Sequence, residues 1–450
     1  PVVIGFVGLA IFSIVGCQTT KNASQPDTLT TGAAADTFNG STASTLDTGD
    51  TLDGGAGSDT LSATFSATES IRPTLTAIET VKFTATAALT VDARDISGTT
   101  LFTSESSTAA ITINNYGAVA NLTINSNSGT AGNTLHTVNI TDAAIAGTAD
   151  AMTITLDNID ADTVVTLTDG GGTTNELEEI TVHSVGLANT LGQLASAGVE
   201  TSTLNVTGDK NLVITTALDT KYDTVQASAF TGDLTVTGAA TATTYTGGSG
   251  NDTITASTKV DTIDGGAGND AIDGGSGADI LAGNAGDDSI DGGLGSDVAV
   301  FAGDLADYTF ASSLDGRTVI VTDVATGDTD TVTGVETLRF DDAEISVSQE
   351  GESSFRVETI TGAYGSLTID AAGDWTYILD NTHADVQALA AGEWITDTLT
   401  VQTFDGTTRD ITITVNGTND GPVVAGGVTG SFSEVDATAA VVIATNTTEQ

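Results

Sequence analysis

Short runs of alternating apolar and polar residues fill the chain between residues 63 and 245. Gly, Asn and Asp separate these runs. A period of two indicates β-strands that bury one face. Clear examples are Ala110–Asn114, Asn121–Asn125, Ala151–Leu156 and Thr203–Thr207. Asn189–Ala197 is the one segment whose apolar spacing is compatible with a helix longer than two turns. The pattern therefore predicts a chain that is almost entirely β.

A fixed nine-residue period organises Gly247–Val300, which consists of six nonapeptides in tandem. The sixth position is always aspartate, and the eighth is always apolar. The aspartates are Asp252, Asp261, Asp270, Asp279, Asp288 and Asp297. The apolar residues are Ile254, Ile263, Ile272, Leu281, Ile290 and Ala299. A period of this kind is typical of a solenoid.

Each nonapeptide is predicted to form half a coil. Glycines at its first, second and fourth positions permit the positive φ angles of a tight turn. Its last three residues are extended, and their central apolar side chain points inward. Two nonapeptides then complete one coil of a flattened right-handed roll. We predict that Asp252, Asp270 and Asp288 stack along one edge of this roll. The other edge is predicted to carry Asp261, Asp279 and Asp297.

The stacked carboxylates need a cation between them. Adjacent coils lie about 4.8 Å apart, where two carboxylates repel by roughly 1 kcal/mol in water and by several times more at a partly buried edge. The stretch holds ten aspartates but one basic residue, Lys259. Carboxylates and turn carbonyls are hard oxygen ligands, which suit calcium better than zinc or copper. We therefore expect several Ca²⁺ ions as the cofactor.

This segment resembles the calcium-binding β-roll of RTX (repeats-in-toxin) proteins, whose pattern is GGxGxDxUx. The resemblance implies that one repeat shares an ion with the repeat two further on. It pairs Gly247–Asp252 with Gly265–Asp270, Gly265–Asp270 with Gly283–Asp288, and Gly274–Asp279 with Gly292–Asp297. The implied metal-site residues are Gly247, Gly248, Gly250, Asp252, Asp261, Gly265, Gly266, Gly268, Asp270, Gly274, Gly275, Gly277, Asp279, Gly283, Gly286, Asp288, Gly292, Gly293, Gly295 and Asp297.

Two places depart from the main pattern. The second repeat has Ala256, Ser257 and Lys259 where glycines are expected, which leaves open a site between it and Gly274–Asp279. Far upstream, one full nonapeptide that begins at Gly54 follows a half-formed one. We favour one calcium site there, involving Asp50 or Asp59, with a plain Gly-Asp turn as the alternative.

Residues 1–16 are apolar, but the segment is shorter than a typical transmembrane helix. The run ends Ile14-Val15-Gly16-Cys17, which resembles a bacterial lipobox and implies lipidation of Cys17. A buried strand and a plain signal peptide are the alternatives. Since Cys17 has no second cysteine to pair with, calcium is expected to take the place of disulfides in a protein that folds outside the cell.

The C-terminal third predicts a cap and a second domain. Phe301, Tyr308 and Phe310 are expected to cover the end of the roll, followed by strands at Thr318–Thr322 and Thr331–Phe340. Alternating runs between residues 351 and 421 predict a β-sandwich and resemble the VCBS or cadherin-like repeat of bacterial adhesins. The fold class is therefore an all-β chain, with a right-handed parallel β-solenoid or β-roll followed by a β-sandwich.

We predict seven consecutive segments. They are an apolar signal-like or lipoprotein-like segment and tether (1–22), degenerate RTX repeats (23–62), a Thr/Ala-rich β-solenoid (63–245), the RTX calcium β-roll (246–300), a β cap (301–350), the VCBS or cadherin-like sandwich (351–421) and the start of a further repeat (422–450).

The sequence contains no catalytic motif that we recognise, so an enzyme is not expected. The three histidines, His136, His183 and His383, are scattered. A phrase containing glutamate recurs at Leu75–Val81 and Val332–Leu338, and more loosely at Leu177–Val182. We interpret each phrase as the start of a coil, with a glutamate that is solvated or caps the coil.

A net charge of −49 argues against nucleic-acid partners and favours a cation-loaded surface protein. Residues 28–300 also resemble the β-solenoid of RTX-type bacterial surface-layer (S-layer) proteins. Three functions follow as hypotheses. The favoured one is a calcium-dependent S-layer or filament subunit that self-assembles at a bacterial surface, with a polysaccharide or an outer-membrane lipid anchor as further contacts. The others are an adhesin segment that binds a host surface or polysaccharide, and the non-catalytic part of a secreted RTX enzyme.

Overall fold

The computed structural model describes most of the chain and divides it into two compact units, Pro1–Val347 and Ser348–Gln450. The described residues are 9–14, 17–21, 28–40, 46–125, 135–147, 149–168, 177–196, 203–312, 318–347, 356, 358–370, 373–402, 408–417 and 440–442. Most of residues 422–450, predicted as a further repeat, lie outside them.

The regular structure is almost entirely β, as predicted. The described helices are two 3₁₀ segments, Asp142–Ile145 and Leu305–Asp307, and one α-helical turn, Ala384–Gln387. Among the described residues, no helix is long and apolar enough to cross a membrane.

One sheet extends along the whole first unit and has 17 strands. Between Thr37–Gly40 and Thr337–Arg339 its strands pair in parallel with the next coil, as a solenoid requires. The strands are Leu9–Ile14, Cys17–Lys21, Thr37–Gly40, Thr60–Phe65, Thr80–Ala85, Leu101–Glu105, Asn121–Asn125, Ala151–Asp157, Glu179–Val185, Thr203–Gly208, Thr224–Gln226, Thr244–Thr246, Thr262–Ala267, Ile280–Ala285, Val298–Val300, Thr337–Arg339 and Glu344–Ser346.

The other walls of the coils are formed by shorter sheets whose ranges along the chain overlap. The first contains Thr28–Thr30, Thr51–Asp53, Thr74–Thr76 and Ile96–Ser97. The second contains Glu69–Ile71, Leu89–Asp92, Ile111–Tyr116, Leu135–Ile140, Val164–Thr168 and Gln193–Ala195. The third contains Asn189–Leu191, Leu212–Ile214, Leu234–Thr237, Thr253–Thr255, Ala271–Asp273, Ser289–Asp291, Tyr308–Ser312, Thr318–Asp323 and Thr329–Thr333. Ser276–Gly277 and Leu294–Gly295 form a two-stranded sheet.

The interior of the solenoid is one continuous hydrophobic core that extends from Phe38 to Phe340. The in-register parallel pairing stacks equivalent side chains above one another, for example Ile263 on Leu281. The six apolar residues at the eighth positions are all buried, which confirms their predicted inward direction. Because each coil is thin, its stability depends on the coils on either side.

Two predictions of local structure are wrong. Asn189–Ala197, considered for a helix, forms the strands Asn189–Leu191 and Gln193–Ala195, because buried residues alternate there. Thr331–Phe340 is not one strand, since Thr329–Thr333 and Thr337–Arg339 belong to different sheets. The chain turns between them at Gly334, whose φ is +60°.

Aromatic residues cover the C-terminal end of the solenoid, as predicted. The ring centroid of Phe340 lies 5.4 Å from that of Phe301, 5.1 Å from that of Tyr308 and 5.8 Å from that of Phe310. At the other end, Leu9–Ile14 pairs antiparallel with Cys17–Lys21. The backbone of Leu9–Ile14 is therefore extended, as in the strand alternative, and Cys17 is the first residue of the next strand.

The second unit contains two antiparallel three-stranded sheets, compatible with the predicted sandwich. One consists of Glu358–Thr361, Gly365–Ile369 and Trp375–Leu379, and the other of Trp394–Gln402, Thr408–Asn416 and Ala440–Val442. Leu367 and Ile369 of the first sheet share a core with Leu399 and Ile413 of the second.

Candidate calcium sites

The six repeat aspartates are buried at the edges of the coils, with at most 2% of each residue exposed. Their side chains connect successive coils. The Asp252 N–H donates to Oδ1 of Asp270 at 2.7 Å, and the Asp270 N–H donates to Oδ1 of Asp288 at 2.8 Å. On the other edge, Asp261 donates to Asp279 and Asp279 to Asp297, both at 2.7 Å. Each bond spans 18 residues, so the two predicted stacks exist as hydrogen-bonded ladders.

The second carboxylate oxygen, Oδ2, divides the aspartates into two groups. Protein donors occupy it in the first two repeats. Oδ2 of Asp252 accepts the Gly248 N–H at 2.7 Å, and Oδ2 of Asp261 accepts the Ser257 N–H at 3.0 Å and its hydroxyl at 2.7 Å. In contrast, Oδ2 has no hydrogen-bond partner and is buried in Asp59, Asp270, Asp279 and Asp288. We call the first group closed turns and the second group open turns.

Backbone conformation separates the two kinds of turn. The second residue of each open turn has a positive φ, as in Gly266 (+103°), Gly275 (+84°) and Asn284 (+70°). In the turns of Asp59 and Asp279 its N–H donates to a different carboxylate. The Gly275 N–H, for example, donates to the preceding Asp273 at 2.9 Å. Since a positive φ favours Gly or Asn, Ser257 suits a closed turn.

Oxygen atoms from two successive coils converge at the first glycine of the open turns of Asp270 and Asp279. A methyl group on Gly274 would lie 2.7 Å from the carbonyl oxygen of Gly292 and 2.9 Å from Oδ2 of Asp279. A methyl group on Gly265 would collide with Oδ2 of Asp270 and lie 3.1 Å from the carbonyl oxygen of Gly283. Each glycine therefore keeps open a space bounded by a carboxylate and a carbonyl. Such oxygen ligands are those that calcium prefers.

The carboxylates of these turns are poorly solvated. Burial raises the pKa of Asp270 to about 7 and that of Asp279 to about 6. Burial also raises the pKa of Asp59 and Asp288, and that of Asp252 in a closed turn. Ionised carboxylates are therefore unfavourable in these positions unless a cation compensates them. The chemistry of the open turns thus fits calcium, which would be held by the aspartates and the turn carbonyls.

The structure brings together the turn pairs that the resemblance implies. Gly265–Asp270 lies against Gly283–Asp288, and Gly274–Asp279 lies against Gly292–Asp297. Gly247–Asp252 also lies against Gly265–Asp270, but Asp252 belongs to a closed turn. The glycines at the fourth position of the nonapeptides pack against the backbone of the preceding coil, which leaves no room for a side chain. This set comprises Gly250, Gly268, Gly277, Gly286 and Gly295.

The second repeat, which has Ser257 in place of a glycine, differs from the open turns in the hydrogen bonds of its aspartate. Ser257 supplies Asp261 with two hydrogen bonds, so this carboxylate is already satisfied without an ion. Upstream, Oδ2 of Asp50 accepts the Asp47 N–H at 2.8 Å, whereas Asp59 lies in an open turn. Of the two residues proposed for that region, the geometry favours Asp59.

Acidic side chains outside the six repeats extend the ladders. Oδ1 of Asp330 accepts the Asp288 N–H at 3.0 Å, and Oε2 of Glu336 accepts the Asp297 N–H at 2.6 Å. Glu79 accepts the Asp59 N–H in the same way, at 2.6 Å. The coil-capping interpretation of the recurring glutamates is therefore confirmed. Asp330 was not identified from the sequence, because no nonapeptide surrounds it.

Side chains alone do not form a metal centre in the part of the chain that the structure describes. No group of three or more His, Cys, Asp or Glu side chains is close enough together to bind a metal ion there. The turn carbonyls must therefore contribute a large share of the ligands. The histidines occupy unrelated settings. His136 is buried, which lowers its pKa to about 4, His183 contacts Thr207, and His383 caps a helical turn.

Comparison with protein families agrees with this geometry. The model of the RTX calcium-binding nonapeptide repeat matches the chain in four copies, at residues 45–64, 246–281 and 272–299. Comparisons with curated proteins and with solved structures find no match. The matched residues contain both the tandem repeats and the isolated turn at Asp59. The chain therefore carries RTX calcium-binding nonapeptide repeats, which form a β-roll within a longer parallel β-solenoid.

Proposed function

We propose that this protein is a calcium-dependent structural protein of a bacterial cell surface, either an S-layer subunit or a filament or matrix subunit. In this proposal it is extracellular, catalyses no reaction, folds on binding several Ca²⁺ ions and then assembles with copies of itself. A lipid anchor at Cys17 and contacts with a cell-surface polysaccharide are further parts of the proposal.

The main support is that the open turns belong to the same coils that enclose the hydrophobic core. The open carboxylates lie at the edges of coils whose interior is one hydrophobic cluster from Phe38 to Phe340. In a solenoid each coil is stabilised by its neighbours, so ions bound at Asp270, Asp279 and Asp288 stabilise the coils on both sides. Ligand binding that occurs only in the folded state adds directly to the free energy of unfolding. In this proposal calcium thus controls whether the solenoid is folded.

A specific observation favours the adhesin alternative. In the second unit, Trp394 is 63% exposed and Ile378 is 64% exposed. Large exposed apolar side chains are frequent at contact sites with other molecules. An adhesin would use this unit to bind a host surface or a polysaccharide.

A calcium titration of the purified chain tests the proposal. We would follow strand content by circular dichroism, and then examine the same samples by sedimentation velocity and negative-stain electron microscopy. Magnesium at equal ionic strength is the control for charge screening. The expected result is a calcium-specific rise in strand signal followed by ordered sheets or fibres. Calcium-folded monomers would support the adhesin alternative instead, and a chain already folded in chelator would overturn calcium-dependent folding.

A further inference from the structure

The recurring glutamate phrase forms the same corner of the coil at two distant places. One is Thr76–Val81, which follows the isolated nonapeptide, and the other is Thr333–Leu338, which follows the last of the six repeats. The second residue of each corner has a positive φ, +50° for Ala77 and +60° for Gly334. In both cases the glutamate two residues later accepts the backbone N–H of the preceding repeat aspartate, at 2.6 Å.

The first corner borders an open turn. Asp59 is 1% exposed, and its Oδ2 has no hydrogen-bond partner. This oxygen is directed towards Gly54, where a methyl group would lie 2.7 Å from it. The same methyl group would collide with the carbonyl oxygen of Ala77. A buried carboxylate oxygen, a carbonyl of the corner and the Glu79 carboxylate therefore meet on one edge of the coil.

The second corner repeats this arrangement. A methyl group on Gly292 would collide with the carbonyl oxygen of Gly334 and lie 2.9 Å from Oδ2 of Asp297. In the nonapeptide pairs, the corresponding positions are filled by the carbonyl of Gly283 and the carboxylate of Asp288. The corner thus offers the same kinds of oxygen as a second nonapeptide, with glutamate in place of aspartate.

We propose that each glutamate corner completes a calcium site with the nonapeptide before it. The first site would be held by Asp59, Glu79 and the Ala77 carbonyl, and the second by Asp297, Glu336 and the Gly334 carbonyl. Both glutamates lie outside the residues that match the nonapeptide family model. Each block of repeats then ends with a calcium site. The inference rests on calcium binding, which is part of the proposed function, and does not depend on assembly.

A third glutamate provides a matched control inside the same chain. Oε2 of Glu178 accepts the Asp150 N–H at 2.7 Å, so its hydrogen bond resembles those of the two corners. However, Oδ2 of Asp150 already accepts the Gly147 N–H at 2.9 Å. This place has the coil-capping bond without an open carboxylate, and no calcium site is expected there.

The test is the number of calcium ions bound by the intact 450-residue chain, measured by equilibrium dialysis with ⁴⁵Ca at saturation. The variants are E79Q, E336Q, their double variant and the control E178Q. Glutamine keeps an oxygen that can accept the aspartate N–H but removes the negative charge that attracts the ion. We expect one ion fewer for each single variant, two fewer for the double variant and no change for E178Q. Circular dichroism at saturating calcium shows whether each variant is folded.

An unchanged number of ions in folded E79Q and E336Q would overturn the inference while leaving calcium-dependent folding intact. A wild-type chain that binds no calcium would overturn both this inference and the proposed function. If the glutamine variants do not fold, Gly54→Ala provides a second test, because its methyl group occupies the space between Asp59 and Ala77 and leaves Glu79 unchanged. A folded Gly54→Ala chain with every ion still bound would also contradict the proposed site.

Discussion

Asp288 donates its backbone N–H to Oδ1 of Asp330 at 3.0 Å, although 42 residues separate the two in the chain. Asp330 is 7% exposed, and burial is the main reason that its pKa is raised to about 7. The ladder of the repeats thus continues into the strand Thr329–Thr333, which pairs with Ser289–Asp291. The cap that closes the solenoid is consequently attached to the edge that carries the open turns of Asp270 and Asp288.

Removing the charge of an open turn should weaken calcium binding, whereas the same change in a closed turn should not. We expect Asp279→Asn to lose one ion or to bind it at least about tenfold more weakly, because one full charge near the ion is worth several kcal/mol at an effective dielectric constant of about 20. The control is Asp261→Asn on the same edge, whose Oδ2 already accepts two bonds from Ser257. Isothermal titration calorimetry with calcium measures both. Equal losses of calcium in the two variants would contradict the distinction between open and closed turns.

Filling the space at the first glycine should exclude the ion without removing any ligand side chain. In Gly265→Ala the new methyl group would collide with Oδ2 of Asp270. Gly265 does not have a positive φ, so backbone strain is not the expected cause. We expect one calcium ion fewer by equilibrium dialysis. Gly117→Ala is the control, because a methyl group there meets no atom within 4 Å, and it should bind as many ions as the wild type.

Stability in the absence of calcium should fall as the pH rises. The folded-state pKa values of Asp270, about 7, and Asp279, about 6, are above the ordinary value of 3.8. The folded chain therefore holds protons that the unfolded chain has released, and this contribution is lost as the pH passes through about 6 to 7. In excess chelator, the urea midpoint followed by circular dichroism should be higher at pH 5 than at pH 8. With saturating calcium the order should reverse, because protons then compete with the ion.

The general repulsion of a chain with a net charge of −49 also destabilises the fold at high pH. The double variant Asp270→Asn with Asp279→Asn separates the two effects, because it removes two of the buried carboxylates with a raised pKa and changes the net charge little. Its difference in midpoint between pH 5 and pH 8 in chelator should be smaller than that of the wild type. A wild-type midpoint that rises from pH 5 to pH 8 in chelator would be incompatible with these pKa values.

The aromatic cap should contribute strongly to stability. Phe340 is 4% exposed and contacts Phe301, Tyr308 and Phe310. We expect Phe340→Ala to lower the free energy of unfolding by about 3–5 kcal/mol, the usual cost of deleting a buried aromatic ring. Phe310→Ala should cost clearly less, because Phe310 is 42% exposed. Urea unfolding in saturating calcium compares the variants, and similar losses for both would show that Phe340 is not the centre of the cap.

Much of the fold was predictable because its determinants are local and periodic. The alternation in Asn121–Asn125 and Thr203–Thr207 predicted strands that the structure contains as Asn121–Asn125 and Thr203–Gly208. The nine-residue register predicted the buried eighth positions and both aspartate stacks, since a constant period places equivalent residues above one another. The change of wall at Gly334 was missed, although the spacing of Val332 and Val335 breaks the period of two there and the positive φ of Gly334 marks the corner.

The sequence by itself determined the solenoid, the edges on which the aspartates stand and the preference of these edges for calcium, because residue type and period are enough for each of them. Only the tertiary structure decided which carboxylates remain open. Whether Oδ2 of a repeat aspartate remains open depends on the direction of a single backbone N–H group, as at Gly248 and Gly275. Repeats that have aspartate at the same position differ in the direction of this N–H. The structure also decided that the two ladders end at Asp330 and Glu336. The chain leaves the coil after the last repeat and returns to it before these two residues. Contacts across 39 and 42 residues have no period from which they can be predicted.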